Sequence, residues 1–383
     1  MVMKTIMRYN NMKEIIYIIL AAVLLAGCQK EDFNDPSSVG SLIYLSATTE
    51  NSTPITRTPY EYTVPNDQPD GILNTAIWAS SFYSAQNGYT YPNPNPPLNG
   101  KNGTGANANQ VVIHATAHFD SGSPQLLDQA VYPQSGTPVF FVGLHPNSNW
   151  SSDAEGKTAN FKFNGSQDVM FAPRIEGQYA DESTLNNPVF DVPELNFRHL
   201  LTWMKIKVVA ESQNAMSAWG KIKDIKITSQ NQLSVDINRG DIANGVFDFK
   251  KQISYSASAD HSGYLPLYKT GTNTVFPDAG GYQLKCYPEV TAPQEVAYVL
   301  CSPVDALETV VEDGVDVKYP EYTIHIETEN RKVSVPIDLK INETTYFTSN
   351  TRAKCFTLNL TFKMGNTIVV TGDIVDWTLG GVG

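Results

Sequence analysis

The residue whose setting speaks most directly of chemistry is Cys28. It closes Leu25-Ala26-Gly27-Cys28, directly after the apolar run from Ile15 to Leu25 and the basic Lys4, Arg8 and Lys13. A positive start, a short apolar core and small residues at the cut describe a signal peptide. The run falls short of the about 20 apolar residues of a spanning helix. In a lipobox of this form the thiol takes a diacylglycerol group before cleavage, and Cys28 becomes the mature N-terminus. Several acyl chains together then hold the protein firmly on a membrane. Met7 or Met12 would serve equally well as the start.

Other constellations are weaker. His114 and His118 stand four apart in Val111–Phe119, a run that reads as a strand. At strand rise they lie about 13 Å apart, too far to share a metal. Asp305, Glu308, Glu312, Asp313 and Asp316 gather carboxylates of the kind that glycosidases and calcium sites use. They lack the ligand order of an EF-hand and read as a solvated acidic loop. His199, in Phe197-Arg198-His199-Leu200, reads as a satisfied structural histidine. Cys286, Cys301 and Cys355 sit among apolar neighbours without CxxC spacing, which predicts buried free thiols rather than a disulfide framework. No G-x-S-x-G elbow and no phosphate loop occurs, and nothing assembles a nucleophile, a base and oxyanion donors. The sequence therefore predicts no enzyme, no metal and no cofactor.

The elements that would carry these residues are mostly strands. Leu42–Ala47, Ala76–Tyr83, Val139–Leu144, Met204–Val209, Ile222–Ile227, Gln283–Tyr287, Val296–Cys301, Tyr322–Ile326, Val333–Leu339, Phe356–Phe362 and Thr367–Val375 are alternating or β-branched runs between Gly, Pro, Asn and Ser clusters. Many short strands spaced by turn signals predict β-sandwiches. Tyr91 to Ala108 reads as a long exposed loop, and residues 173–190 as a polar connection at a domain boundary.

The chain of 383 residues has 27 basic and 39 acidic side chains, a net charge of −12. Removing a leader with Lys4, Arg8, Lys13 and Glu14 leaves the mature chain at −14. An acidic chain without a Lys/Arg cluster is not built for phosphate backbones, which excludes a nucleic-acid partner. Gln29 follows Cys28 where an aspartate would retain a lipoprotein at the inner membrane. Lys30-Glu31-Asp32 resembles the tag that sends lipoproteins of Bacteroidota to the outer face of the outer membrane.

Further along, Tyr132-Pro133-Gln134-Ser135-Gly136-Thr137-Pro138-Val139-Phe140-Phe141-Val142-Gly143-Leu144-His145-Pro146, the Asp168–Ala172 turn, Leu195–Ile206, Tyr346–Phe362 and the closing Ile374-Val375-Asp376-Trp377 occur in order. Together with the lipobox they resemble the fimbrillins, the FimA- and Mfa-like lipoprotein pilins of Bacteroidota. Gly143, His145 and Thr351-Arg352-Ala353-Lys354 depart from the family's pattern.

The resemblance implies an all-β chain of two tandem transthyretin-like β-sandwiches. Its expected divisions are a signal peptide (1–27), a lipidated tether (28–40), an N-terminal sandwich (41–185) and a C-terminal sandwich (186–383). It implies a tip, accessory or stalk subunit of a pilus at the outer membrane, surface-exposed, that supports adhesion to host or bacterial ligands. Assembly would proceed by donor-strand replacement. A processing protease cuts after an arginine, here Arg57 before Thr58, and frees the strand holding Leu42, Ile43, Tyr44 and Leu45. A strand of another pilin subunit then fills the groove. Only six residues follow Trp377, so a stalk role would require the Thr367–Trp377 strand itself to swing out. The alternative is a cell-surface glycan-binding lipoprotein that stacks sugars on Tyr83, Tyr89 and Tyr91.

Overall fold

A computed structural model describes residues 42–49, 73–80, 83–84, 88–89, 112–119, 125–131, 139–152, 158–177, 193–237, 248–304, 310–312, 315–317, 322–337 and 350–376. Cys28, Arg57, Thr58, Tyr91, Asp305, Glu308 and Asp313 lie outside the described residues.

The all-β expectation holds. The first part of the chain gives β1 (Leu42–Thr49), β2 (Leu73–Ser80), β3 (Tyr83–Ser84), β4 (Gly88–Tyr89), β5 (Val112–Phe119), β6 (Gln125–Val131), β7 (Val139–His145), β8 (Trp150–Ser152), β9 (Thr158–Lys162), β10 (Met170–Gly177) and β11 (Glu194–His199). The rest gives β12 (Thr202–Ala210), helix α1 (Gln213–Trp219), β13 (Ile222–Thr228), β14 (Gln232–Asp236), helix α2 (Phe249–Gln252), β15 (Ile253–Ser256), β16 (Tyr264–Lys269) and β17 (Val275–Phe276). The last elements are β18 (Gln294–Cys301), β19 (Val310–Glu312), β20 (Val315–Val317), β21 (Tyr322–Thr328), β22 (Lys332–Ile337), β23 (Lys354–Phe362) and β24 (Ile368–Asp376).

One sheet has the order β5-β2-β7-β10-β11-β1-β6. It curls so that β6 returns towards β5. The sheet thus runs on past position 185, through β11 to His199. Of the polar connection expected over residues 173–190, residues 173–177 belong instead to β10, which holds its ladder with β7 to Gly177. The Asp168–Ala172 segment, expected as a turn, is the entry into β10.

Strand β7 is buried along its whole length, as its unbroken apolar run requires. Its alternate residues serve two cores. Phe141 and Gly143 share a face with Ile77 and Ala79 across the β2 ladder. Val142 and Leu144 join Trp78 and Phe171 in a core continuous with the second half of the molecule.

The second large sheet runs β22-β21-β13-β16-β18-β12-β23-β24, with β17 on β16. Strand β16 folds it into two layers. Tyr264–Pro266 pairs with β13, whereas Tyr268 and Lys269 pair with β18. Pro266, which has no N–H to offer a ladder, sits next to this change of partner. Between the layers Met204, Ile206, Leu358 and Leu360 meet Ile225, Ile227, Ile324 and Ile326 in one core. The alternation that brings them there is read directly from β12, where Trp203, Lys205 and Lys207 point outward between buried Met204, Ile206 and Val208.

A third sheet, β15-β14-β9-β8, takes two strands from each half of the chain. Its central ladder runs from Gln232↔Lys162 to Asp236↔Thr158. Helix α1 is capped at both ends: the Ser212 side chain accepts from Ala215 N–H, and Gly220, at φ 73°, donates to Met216 O.

Candidate functional site

The site begins with β1. Its sequence runs from four apolar residues into four small ones, and Leu45 and Ala47 are 1% and 3% exposed. It divides its hydrogen bonding between two neighbours. The first half pairs antiparallel with β6 through Leu42↔Val131, Tyr44↔Leu126 and Leu45↔Gln125. The second half pairs parallel with β11 through Ser46↔Glu194, Ala47↔Leu195, Thr48↔Asn196 and Thr49↔Phe197. Strand β6 has no other strand partner among the described residues. The strand that carries Leu42, Ile43, Tyr44 and Leu45 is thus the only link between β6 and β11 in the sheet order.

In the β11 wall of this seat lie Leu195 and Phe197, both fully buried and opposite Ala47 and Thr49 in the register. A Cβ added at Gly143 would stand 2.4 Å from Phe197 Cζ, so the ring occupies the space a side chain would need. That accounts for a glycine at position 143.

Strand β11 ends in a sharp passage into β12, and its backbone groups are taken up one by one. Leu200 N–H donates to Val169 O at 2.8 Å, and Ala353 N–H donates to Leu201 O at 3.0 Å. Tyr255 Oη donates to Leu200 O at 2.5 Å. Arg352 Nη1 donates to His199 O at 3.1 Å. The Arg352 guanidinium lies 3.9 Å from the centre of the Phe249 ring, and Arg198 lies 5.0 Å from it. His199 Nδ1 lies 2.7 Å from Asp168 Oδ2, with both side chains buried. The expectation of a satisfied structural histidine holds, and its partner is the aspartate of the segment expected as a turn.

A second buried polar cluster pins the other side of β12. Thr202 Oγ1 donates to Thr351 O at 2.9 Å, and Tyr322 Oη donates to Ser302 O at 2.9 Å. Thr351 Oγ1 accepts from Val304 N–H at 2.9 Å. Burial holds the Tyr322 phenol well above its ordinary range. It pushes the Cys301 thiol up to about 12 and that of Cys355 to about 11. Cys286, Cys301 and Cys355 are free and buried, as expected, and the two raised thiols stay protonated and unreactive at neutral pH.

The remaining sequence candidates are scattered. His114 and His118 are both on β5. Glu312 and Asp316 are on the β19–β20 ribbon, where Asp316 faces Val311. Tyr83 and Tyr89 are directly opposed on the β3–β4 ribbon. Nothing in the sequence marked Tyr255, and Asp168 and Arg352 stood out only as parts of the quoted segments; the fold brings all three to the β11–β12 passage.

No family model matches the chain, and no curated protein matches it. Solved structures do. The chain is similar to a candidate cell adhesion protein from Bacteroides uniformis, with 12% identity, a TM-score of 0.46, and coverage of 88% of this chain and 99% of that one. It is similar to a fimbrial protein from Bacteroides vulgatus at 15% identity and TM-score 0.42, over 88% of this chain and 99% of that one. It is also similar to the C-terminally truncated tip fimbrial protein Mfa3 from Porphyromonas gingivalis, at 11% identity and TM-score 0.33, over 80% of this chain and 94% of that one.

Proposed function

We propose that the chain is a fimbrillin-like structural subunit of an adhesive pilus, built as two tandem transthyretin-like sandwiches, exported as a lipoprotein and anchored by Cys28 in the outer membrane. Its partners are other pilin subunits, joined by strand replacement after cleavage at Arg57. The observation that carries the reading is the place of β1. A strand at the start of the described chain is the sole bridge between β6 and β11. Its release would uncover unpaired backbone on both, together with the seats of Leu45 and Ala47, and such an edge invites another strand.

The test is to treat the native protein with a trypsin-like protease and follow its N-terminal sequence and its oligomeric state. A new N-terminus at Thr58, loss of the β1 peptide and growth of SDS-resistant multimers are expected. A chain that loses β1 and stays monomeric even with other pilin subunits supplied would overturn the reading.

A further inference from the structure

The two walls of the β1 seat are held very differently. Strand β6 is bonded to β1 alone among the described strands. Strand β11 also has little ladder of its own, since its pairing with β10 covers only Met170↔His199 and Phe171↔Arg198. Residues 194–197 of β11 therefore have β1 as their only strand neighbour in the described residues. Besides the burial of Leu195 and Phe197, β11 is fixed by hydrogen bonds at its far end. There Tyr255 and Arg352, from the second half of the chain, donate to the carbonyls of Leu200 and His199. Asp168 holds the His199 ring from the opposite side.

We infer that this elbow is a positioning device for the incoming strand. Tyr255 and Arg352 keep β11 in place as the standing wall when β1 is absent, while β6 is the wall that moves away with β1 and closes again. An incoming strand is then templated first on β11, parallel to it, and is covered by β6 afterwards. The inference rests on the strand-replacement reading above and adds which residues prepare the seat. The physical reason is pre-organisation. A wall held in strand geometry before binding spares the incoming strand the ordering of its partner.

The experiment uses the full chain with a site-specific protease sequence introduced within residues 50–72. After cleavage, a labelled peptide of sequence LIYLSATT, residues 42–49, is offered in exchange for β1. Affinity is measured beside the unfolding midpoint, and hydrogen exchange is read on β6 and β11. In the wild type the peptide should enter. With the seat empty, β6 amides should exchange fast while those of the elbow stay protected. Tyr255→Phe combined with Arg352→Met should weaken the peptide by about tenfold or more, the scale of a lost buried hydrogen bond or two. Arg352→Lys in the Tyr255 background should recover most of it. Tyr298→Phe removes hydrogen bonds to Ser166 O and Thr272 O, neither of them a carbonyl that Tyr255 or Arg352 holds. It should lower the midpoint and leave peptide affinity unchanged. A wild type that takes no peptide overturns the strand-replacement reading itself. Peptide entry that is equal in wild type and the double variant, or that falls equally with Tyr298→Phe, overturns the elbow's role alone.

Discussion

The two large sheets contain the same local arrangement, and they use it differently. In the first, β10, β11, β1 and β6 pair antiparallel, parallel and antiparallel. In the second, β18, β12, β23 and β24 repeat that sequence of directions. Strand β23 therefore stands where β1 stands. But β23 is bonded along both edges, from Trp203↔Cys355 to Ala210↔Phe362 on one side and from Lys354↔Asp376 to Phe362↔Ile368 on the other. Strand β1 gives one half of its length to each neighbour. The same topological position is a permanent core strand in one sheet and a half-bonded one in the other. What separates the two strands is how much of each edge is bonded, not their position in the sheet.

The comparison breaks most readily with matched truncations. Leu358 on β23 and Leu45 on β1 are both 1% exposed. Leu358→Ala should lower global stability by about 2–5 kcal/mol, the usual cost of a buried leucine. Leu45→Ala removes the same atoms, but from a strand that, under the proposed strand replacement, detaches without unfolding the rest. Its effect should appear mainly as faster amide exchange in β1 and β6, with a smaller shift of the urea midpoint. Equal midpoint shifts for the two variants would mean that β1 is as integral as β23. Gly143→Val comes next. The added side chain meets the Phe197 ring, and overpacking of this kind costs about 1–3 kcal/mol in a denaturant titration. Because Phe197 is on β11, opposite Thr49 in the register, the loss should be accompanied by weaker retention of β1, whereas Leu358→Ala should leave retention nearly unchanged.

How far this contrast was legible in the sequence depends on the element. Strands β7, β12, β21 and β23 announce themselves through apolar runs or clean alternation, because each buries one face or both. The Leu42–Ala47 run reads as a strand for the same reason. Strands β6, β9, β14 and β15 were not legible. Gln125–Val131 mixes polar and apolar residues, and Thr158–Lys162 and Gln232–Asp236 are short strands of small polar side chains on one face. Their identity as strands comes from partners far along the chain. The elbow was hidden for a related reason. Tyr255 and Arg352 act on carbonyls 55 and 153 residues away, and no local pattern encodes that. The division of β1 between two neighbours is likewise a property of the curled sheet, not of its own eight residues.

The second half should also show an alkaline weakness of its own. Cys301, with an ordinary value of 9.0, is pushed up to about 12 by burial, and Tyr322 is raised for the same reason. In the unfolded chain these groups lose their protons at lower pH than in the folded one. Stability is therefore complete below about pH 9 and declines as pH rises towards about 12. Unfolding midpoints measured across pH 8 to 11 should fall, and Cys301→Ala should flatten the curve. Truncations around β1 should shift the curve without changing its slope, since neither group lies in the first sheet.

The smallest expected effect concerns the tie between the halves. Lys162, at the end of β9, lies 2.6 Å from Asp260 Oδ2, on the segment between β15 and β16. The lysine ammonium and the Ser258 hydroxyl both donate to Asp260 and lower its carboxyl from 3.8 to about 2. The stabilisation this contributes is present above about pH 4 and is lost as pH falls towards 2. Both side chains are mostly exposed, so salt screens the pair and its contribution is slight. Asp260→Asn should leave the unfolding midpoint at pH 7 almost where it stands in the wild type. If instead the halves part, shown by rapid exchange of the β9–β14 ladder amides, the shared sheet depends on this surface pair. The five-residue ladder from Lys162 to Thr158 would then not suffice to keep the second half's elbow residues on β11.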